Sequence, residues 1–202
     1  MNTYVALFRG INIGGKNILP MKDLVQILDG MGCERVKTYI QSGNAVFRTK
    51  ENQATRIAAE ISSKILQHHG FKPKVLLLSG TELEDAIKNN PFQTMEGKTL
   101  HFFFLESTPV HPDLDELERV KSNSEEFKLD NNIFYLYAPD GVGRSKLASR
   151  IERSLGVPAT ARNWNTVGKL IGMVKQALYI KASAPHPVQE HKRGKKRCES
   201  LS

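Results

Sequence analysis

Apolar residues recur along the chain in short runs typical of strands and in stripes with helical spacing. Residues 4–8 form one uninterrupted apolar run, as in a buried strand. Pro20 fits the first turn of a helix, and Leu24, Ile27 and Leu28 supply the apolar stripe of that helix. Segments 36–40 and 45–49 flank a Ser-Gly-Asn turn, which predicts a hairpin. The first 50 residues therefore indicate a strand, a helix and two paired strands.

The next segments complete a β-α-β-β-α-β order. Ile57, Ile61 and Ile65 mark a long helix that ends near Gly70, and residues 75–78 form a second apolar strand. This order is typical of a ferredoxin-like fold, also called an α-β plait. We therefore predict one such subdomain in residues 1–80.

The same kinds of pattern return in the second half of the chain. Residues 81–84 have the spacing of a capping box and predict a linker helix, which Asn90-Pro91 ends. Residues 100–105 are a predicted strand, 114–120 a short helix, and 127–129 with 133–137 a second hairpin. A helix with the stripe Leu147, Ile151, Leu155 follows, then a short strand at 157–162 and an amphipathic helix at 164–178.

Together these elements predict an α+β protein with two ferredoxin-like subdomains in tandem and a C-terminal helix that clasps them. The predicted divisions are a first subdomain at 1–80, a linker helix at 81–97 and a second subdomain with its clasp helix at 98–182. Residues 183–202 contain few apolar residues and a lysine/arginine run, and they are predicted to be a disordered basic tail.

Charge favours anionic partners without indicating a dedicated nucleic-acid binder. The formal net charge is +8, and residues 183–202 hold five Lys/Arg against two Glu, a net of +3. The remaining 182 residues hold 24 Lys/Arg against 19 Asp/Glu, which leaves +5. The run at 192–197 predicts weak, salt-sensitive nucleic-acid binding, and the rest of the chain is only moderately basic.

Several function classes receive no support from the sequence. The two cysteines, Cys33 and Cys198, lie far apart, and the histidines are not spaced as metal ligands, so neither a disulfide framework nor a metal site is expected. No apolar run reaches the length of a membrane helix or of a signal-peptide core. We therefore expect a cytoplasmic protein with no cofactor and no membrane partner; its oligomeric state is not indicated.

Four segments combine glycine or asparagine, which allow unusual backbone conformations, with side chains that donate hydrogen bonds, and three of these segments contain Lys or Arg. They lie at 9–17, 41–44, 141–146 and 161–165, next to predicted strand or helix ends. Such segments suit an anion or a polar ligand, because glycine lets a ligand approach the main chain and arginine pairs with phosphate or carboxylate. The candidate ligand-binding residues are Arg9, Gly10, Asn12, Gly14, Gly15, Lys16, Gln41, Ser42, Asn44, Arg144, Ser145, Lys146, Arg162, Asn163 and Trp164.

Each segment also has a purely structural interpretation. The first loop has neither dinucleotide-binding nor P-loop spacing, but it is longer than a median connector, so both interpretations stand. Residues 41–44 suit a tight turn. Ser145 and Asn163 are the expected N-caps of two helices. A lone Trp164 at a helix start is typical of a packing anchor, and the absence of an RNP-type strand argues against an RRM.

In their order, these segments resemble the mostly bacterial family known as domain of unknown function 1697 (DUF1697). The resemblance is carried by residues 8–15, 38–47, 143–147 and 161–167, and it spans about residues 3–175. It implies two α-β plait subdomains in a cytoplasmic protein. The family has no established activity, so the resemblance assigns no catalytic residue.

Three functions stay open at this point. The leading hypothesis is a binding module for an anionic or phosphorylated ligand: a nucleotide, a phosphorylated metabolite or a nucleic-acid backbone. The second is an enzyme on a small phosphorylated or carboxylated metabolite, with Tyr39 or Ser42 near the chemistry. The third is a structural or interaction protein in which the four segments only hold the halves together.

Overall fold

The computed structural model describes residues 1–93 and 96–179 of the 202-residue chain. In this part of the chain the fold is mixed α+β, with two four-stranded antiparallel sheets and six α-helices. The predicted class is thus confirmed at this level. The basic tail at 183–202 lies outside the described residues.

The first sheet is built from the N-terminal half. Its strands are β1 (Asn2–Arg9), β2 (Glu34–Thr38), β3 (Asn44–Thr49) and β4 (Lys74–Ser79), in the order β2-β3-β1-β4. Helix α1 (Met21–Gly30) joins β1 to β2, and α2 (Ala54–His69) joins β3 to β4. Both helices pack on the face of the sheet that carries Tyr4, Ala6 and Phe8.

The second sheet repeats this strand order in the C-terminal half. Helix α3 (Gly80–Lys88) leads to β5 (Leu100–Leu105), α4 (Leu114–Val120), β6 (Glu126–Asp130) and β7 (Ile133–Tyr137). A short 3₁₀ turn (Val142–Arg144), α5 (Lys146–Leu155), β8 (Ala159–Asn163) and α6 (Trp164–Tyr179) complete the described chain. The order within this sheet is β6-β7-β5-β8.

Helices α3 and α6 join the two sheets through one shared core. Val5 and Leu7 of β1, Phe102 and Phe104 of β5, and residues of both helices such as Leu170 belong to the same buried cluster. Helix α6 contacts β1 and β3 of the first sheet and β5 and β8 of the second. The terminal helix therefore contacts both halves of the described chain.

Two sequence predictions need correction at element boundaries. The capping box of α3 is formed by Ser79, whose hydroxyl accepts a hydrogen bond from the Glu82 N–H at 3.1 Å, and not by the predicted residues 81–84. Gly80 is the first residue of the helix, and its lack of a side chain leaves room for Val174, since a Cβ there would lie 2.9 Å from Cγ1 of Val174. Strand β2 spans 34–38 instead of 36–40, because Arg35 (φ 55°) lies in a register shift and Ile40 (φ 49°) already belongs to the turn.

Candidate functional site

A cleft of about 470 Å³ lies where the two halves meet. The first half contributes the end of β1, the loop after it and the β2–β3 turn; the second contributes β5, α5 and β8. A volume of this size is typical of small-molecule sites, which span roughly 300–1,000 Å³. The cleft is lined by Phe8, Arg9, Gly10, Ile11, Asn12, Ile13, Gln41, Ser42, Phe103, Ala148, Ser149, Glu152, Ala159, Thr160, Ala161 and Arg162.

Asn12 organises the first loop. Its Nδ2 donates to the carbonyl oxygens of Leu19 (3.0 Å) and Gln41 (2.8 Å), and its Oδ1 accepts from the Leu19 N–H at 2.8 Å. Asn12 adopts φ 54°, a left-handed conformation that asparagine tolerates better than most residues. The side chain therefore ties the loop to the β2–β3 turn, and its amide is already bonded on both sides.

The tip of this loop projects as a small hairpin. Ile13 and Lys16 pair across Gly14 and Gly15, which both have positive φ, at 57° and 73°. Positive φ at both central residues is the geometry of a type I′ turn, in which glycine is strongly favoured. The two glycines thus shape the tip, while Ile13 and Lys16 stay exposed at its base.

The β2–β3 turn presents Gln41 and Ser42 to the cleft and keeps Asn44 inside. The fully buried Asn44 donates from Nδ2 to the Tyr39 carbonyl oxygen at 3.0 Å. Ile40 has φ 49°, which is strained for a β-branched side chain. Strained backbone is concentrated at functional segments of proteins, and it persists where its surroundings hold it in place.

Arg162 of β8 links the two halves by hydrogen bonds to main-chain and amide oxygens. Its Nε donates to Oδ1 of Asn44 at 2.5 Å, and its Nη2 donates to the carbonyl oxygens of Phe8 (2.8 Å) and Gly43 (2.9 Å). Its Nη1 donates to the carbonyl oxygen of Ala161 at 2.8 Å. Four of the five N–H groups of a guanidinium are thereby used, and the second Nη1 hydrogen has no partner in the described chain.

No carboxylate pairs with Arg162 among residues 1–93 and 96–179. Burial lowers the pKa of this guanidinium to about 10. A lowered pKa means that the charged form is less favourable here than in water. The cleft wall therefore carries a partly buried positive charge that only neutral oxygens stabilise.

Arg9 and Glu152 form the second link across the cleft. Two parallel hydrogen bonds join them, Nη1 to Oε1 at 2.5 Å and Nη2 to Oε2 at 2.9 Å. The Ala159 N–H also donates to Oε1 of Glu152 at 2.8 Å. Burial by itself would raise the pKa of Glu152, but hydrogen bonds from Arg9 and Ala159 and the positive charges of Arg9 and Lys74 outweigh it, so this pKa is lowered. The Glu152 carboxylate is therefore ionised, and it forms part of the cleft wall.

The segment at 141–146 does not line the cleft. Arg144, Ser145 and Lys146 line a separate depression of about 350 Å³ together with Lys121 and Glu125. The Ser145 hydroxyl accepts a hydrogen bond from the Ala148 N–H at 2.8 Å, which confirms the predicted N-cap of α5. Of the four segments, the structure thus brings the first, the second and Arg162 of the fourth together and leaves the third apart.

The two other candidate residues of the fourth segment, Asn163 and Trp164, cap a helix and pack in the core instead of lining the cleft. Oδ1 of Asn163 accepts a hydrogen bond from the Thr166 N–H at 3.0 Å, as predicted for the cap of α6. The Trp164 ring stacks on Phe102, with centroids 5.6 Å apart and planes 14° apart. Trp164 therefore has the geometry of a packing anchor, and neither residue lines the cleft.

Sequence reasoning missed Ser149, Glu152 and Thr160 as cleft residues. Ser149 and Glu152 lie three residues apart on α5 and so share one helix face. The sequence shows only that Ser149 and Glu152 are polar and lie off the apolar stripe of Leu147 and Ile151. Nothing in it shows that this polar face of α5 meets Arg9.

Two classes of site are absent from the described part of the chain. No group of three or more His, Cys, Asp or Glu residues there could hold a metal ion. No helix among the described residues is long and apolar enough to cross a membrane.

Comparisons with known proteins give a family and a fold but no activity. The chain is similar to the conserved bacterial protein SP0830 from Streptococcus pneumoniae, with 26% identity, a TM-score of 0.68, and coverage of 86% of this chain and 98% of that one. No curated protein matches the chain significantly. The family model described as "Protein of unknown function (DUF1697)" matches residues 1–135, which include the segments at 9–17 and 41–44. This chain therefore belongs to the DUF1697 family.

Proposed function

We propose that this protein binds a small anionic ligand in the cleft between its two halves. The observation that carries the proposal is the partly buried Arg162 guanidinium, which has no carboxylate partner in the described chain and lines the cleft. Of the titratable cleft residues, Arg9 and Arg162 are positive and Glu152 is negative, a net of +1. A ligand with one negative charge would neutralise this wall.

The energetics favour this kind of occupant. A charge withdrawn from water is unfavourable unless it is paired, and its attraction to an opposite charge grows as the effective dielectric constant falls. The unused Nη1 hydrogen of Arg162 offers a charge-assisted hydrogen bond to phosphate or carboxylate. Lys16 at the loop tip is a further exposed cation next to the cleft.

We also infer that each half is a ferredoxin-like subdomain, at residues 1–80 and 98–182, joined by a linker at 81–97 whose helix, α3, ends at Lys88 instead of continuing to residue 97. The support is the strand order, β2-β3-β1-β4 in one half and β6-β7-β5-β8 in the other, with β-α-β-β-α-β succession in each. In this arrangement the cleft lies at the boundary between the two units, a common position for small-molecule sites.

A ligand screen with a matched pair of variants tests the proposal. The probes are inorganic phosphate, nucleoside monophosphates and diphosphates, and sugar phosphates, each added to the full chain in a thermal-shift assay. A ligand at 100 times its Kd stabilises the native state by about 2.7 kcal/mol, which raises the Tm of a chain of this size by roughly 5–10 °C. We expect at least one probe to give such a shift.

Ser149→Glu is the informative variant, because it places a carboxylate on the cleft face of α5 near the position of the anion. Ser63→Glu, at an exposed position of α2 remote from the cleft lining, is the control. The shift should disappear in Ser149→Glu and persist in Ser63→Glu. Binding by the basic tail would survive both changes, so a shift that persists in Ser149→Glu, or a screen without any shift, contradicts the proposal.

One observation favours an enzyme as the second candidate. Glu152 is a titratable group inside a cleft that joins several of the segments. However, its carboxylate is hydrogen-bonded to Arg9 and Ala159, and the Ser149 hydroxyl donates to the Lys146 carbonyl oxygen rather than to Glu152. Binding therefore ranks ahead of catalysis. The cytoplasmic location and the nucleic-acid binding by residues 192–197 stay predictions from the sequence.

A further inference from the structure

We infer that the anion bound in this cleft is an amphiphilic small molecule, whose charged group meets Arg162 and whose apolar group lies against Ile13 and Phe103. This inference rests on the proposed function and narrows the ligand class. Highly polar anions such as inorganic phosphate would use only one part of the cleft.

Ile13 is the first line of support. It lines the cleft and is 67% exposed, although it is a large β-branched apolar residue. Single exposed apolar side chains are common on proteins, but Ile13 lies in the lining of a cleft that also contains the apolar residues Phe103 and Ala161. An apolar ligand group placed between them would remove the Ile13 side chain from water, which is favourable.

The wall on the second half also contributes apolar residues, and most of these are small alanines. Phe103 of β5 and Ala161 of β8 are directly opposite each other in the sheet register, and both line the cleft. Ala148 and Ala159 line it as well. Because these alanines fill little volume, the space between Ile13 and the second sheet stays open to an apolar group.

The cation lines the same cleft as this apolar surface. Ala161 and Arg162 are consecutive in β8 and project to opposite faces of the strand, but both residues line the cleft. The Arg162 guanidinium donates to the carbonyl oxygens of Phe8 and Gly43 on the first half. A ligand that reaches the unused Nη1 hydrogen of Arg162 therefore has the Phe103–Ala161 surface within the same cleft. Charge and apolar area together define an organic anion with a short hydrocarbon or aromatic body.

The test compares inorganic phosphate, ethyl, butyl and hexyl monophosphate, and hexanol, with a parallel acetate-to-hexanoate series, by calorimetric titration of the full chain. We expect affinity to rise with chain length in at least one series, by about fourfold for each methylene that becomes buried. Hexanol, which lacks the charge, should bind much more weakly than the charged six-carbon ligand.

Ile13→Ala and Ile18→Ala form the matched pair of variants, since both residues are exposed members of the same loop and only Ile13 lines the cleft. Ile13→Ala should weaken binding of the six-carbon anion at least about fourfold, the equivalent of one buried methylene, and leave the shortest anion unchanged. Ile18→Ala should change neither.

The possible outcomes separate the two proposals. Equal affinity for short and long anions, or equal loss in both isoleucine variants, overturns the amphiphilic ligand and leaves the anion site standing. If hexanol binds as tightly as the charged six-carbon ligand, the charge of Arg162 plays no part in binding. A protein that binds no member of either series overturns the amphiphilic ligand, and it overturns the anion site as well if no nucleotide or sugar phosphate raises the Tm.

Discussion

At the scale of single residues, the polar members of the segments mainly stabilise the walls of the cleft. Asn12 and Asn44 bond to main-chain groups, and Arg9 pairs with Glu152. A side chain whose donors are already bonded contributes to ligand binding mainly by fixing the positions of its neighbours. The third hypothesis from the sequence, that the segments hold the halves together, fits Arg9 and Arg162, whose hydrogen bonds cross between the halves, whereas Asn12 bonds only within the first half. It is compatible with a ligand in the space that these residues enclose.

The Arg9–Glu152 pair predicts a pH-dependent contribution to stability. The pKa of Glu152 is lower in the folded protein than its ordinary value, so the ionised form stabilises the fold above the pKa of the unfolded chain, and this stabilisation is lost as pH falls through the folded pKa. Glu152→Gln should lower the free energy of unfolding at pH 7 by about 0.5–1 kcal/mol, the range of solvent-exposed ion pairs. The difference from wild type should begin to shrink as pH falls past the ordinary glutamate pKa of about 4.3 and should vanish once pH is below the lowered pKa of Glu152 in the folded protein.

Glu106→Gln is the control for that measurement. Glu106 pairs with Lys74 across the same boundary at 3.5 Å, and its side chain is 42% exposed against 41% for Glu152, but it forms a single contact. Thermal or urea unfolding from pH 3 to pH 7 should show a smaller effect of Glu106→Gln. Equal stability of wild type and Glu152→Gln at every pH would refute the structural role of the paired hydrogen bonds.

At the scale of elements, the β2–β3 turn depends on one glycine. Gly43 has φ 81°, and a Cβ there would lie 2.5 Å from Cδ1 of Ile11 and 2.7 Å from Cβ of Phe8. Gly43→Ala should therefore destabilise the protein by about 2–5 kcal/mol, from left-handed strain together with overpacking.

Gly10→Ala is the matched control, because Gly10 has φ 75° and a Cβ there would meet no atom within 4 Å. It should cost about 1–2 kcal/mol from strain alone. Chemical denaturation of both variants gives the comparison. Similar losses in the two variants would show that the close approach of Gly43 to the first loop has no energetic consequence.

The helices and strands could be predicted from the sequence because the apolar residues of each have a spacing typical of that element. The apolar run at 100–105 and the stripe of Leu147, Ile151 and Leu155 coincide with β5 and α5. Element boundaries were harder to predict: both Ser79-Glu82 and Thr81-Glu84 have the spacing of a capping box, and only the first pair forms it. The end of β2 depends on the left-handed backbone of Ile40. Local spacing alone does not decide between such alternatives.

At the scale of the whole molecule, the basic run in the tail predicts a second, separate interaction. Five cations at 192–197 should bind single-stranded oligonucleotides weakly, with a log–log salt slope of at most about −3.5, since each neutralised phosphate contributes about −0.7. Ending the chain at residue 182 should abolish this binding in a fluorescence-anisotropy assay. A full-length variant with the five cations changed to glutamine is the control for chain length. Binding that persists in both proteins would place the interaction elsewhere.

The location of the site could be predicted only in part. The segments at 9–17 and 41–44 were identified, and they do meet, but their partners on the second half, Glu152 and Thr160, have no signature of their own. Arg144 has as strong a local signal as Arg162, yet it lines another depression. Convergence depends on how the two sheets dock through α6, and this docking is a property of the shared core rather than of any segment.

The hydrogen bonds of Arg162 also have a consequence for the order of folding. They reach residues 118 to 154 positions earlier in the chain, at Asn44 and Phe8. During synthesis the first half emerges well before β8, so the hydrogen bonds from Arg162 to the carbonyl oxygens of Phe8 and Gly43 cannot form until the second half follows. Contacts of such long sequence separation form late and slow folding. The cleft is therefore among the last features of this molecule to assemble, and a nascent chain cannot hold a ligand there until β8 has been made.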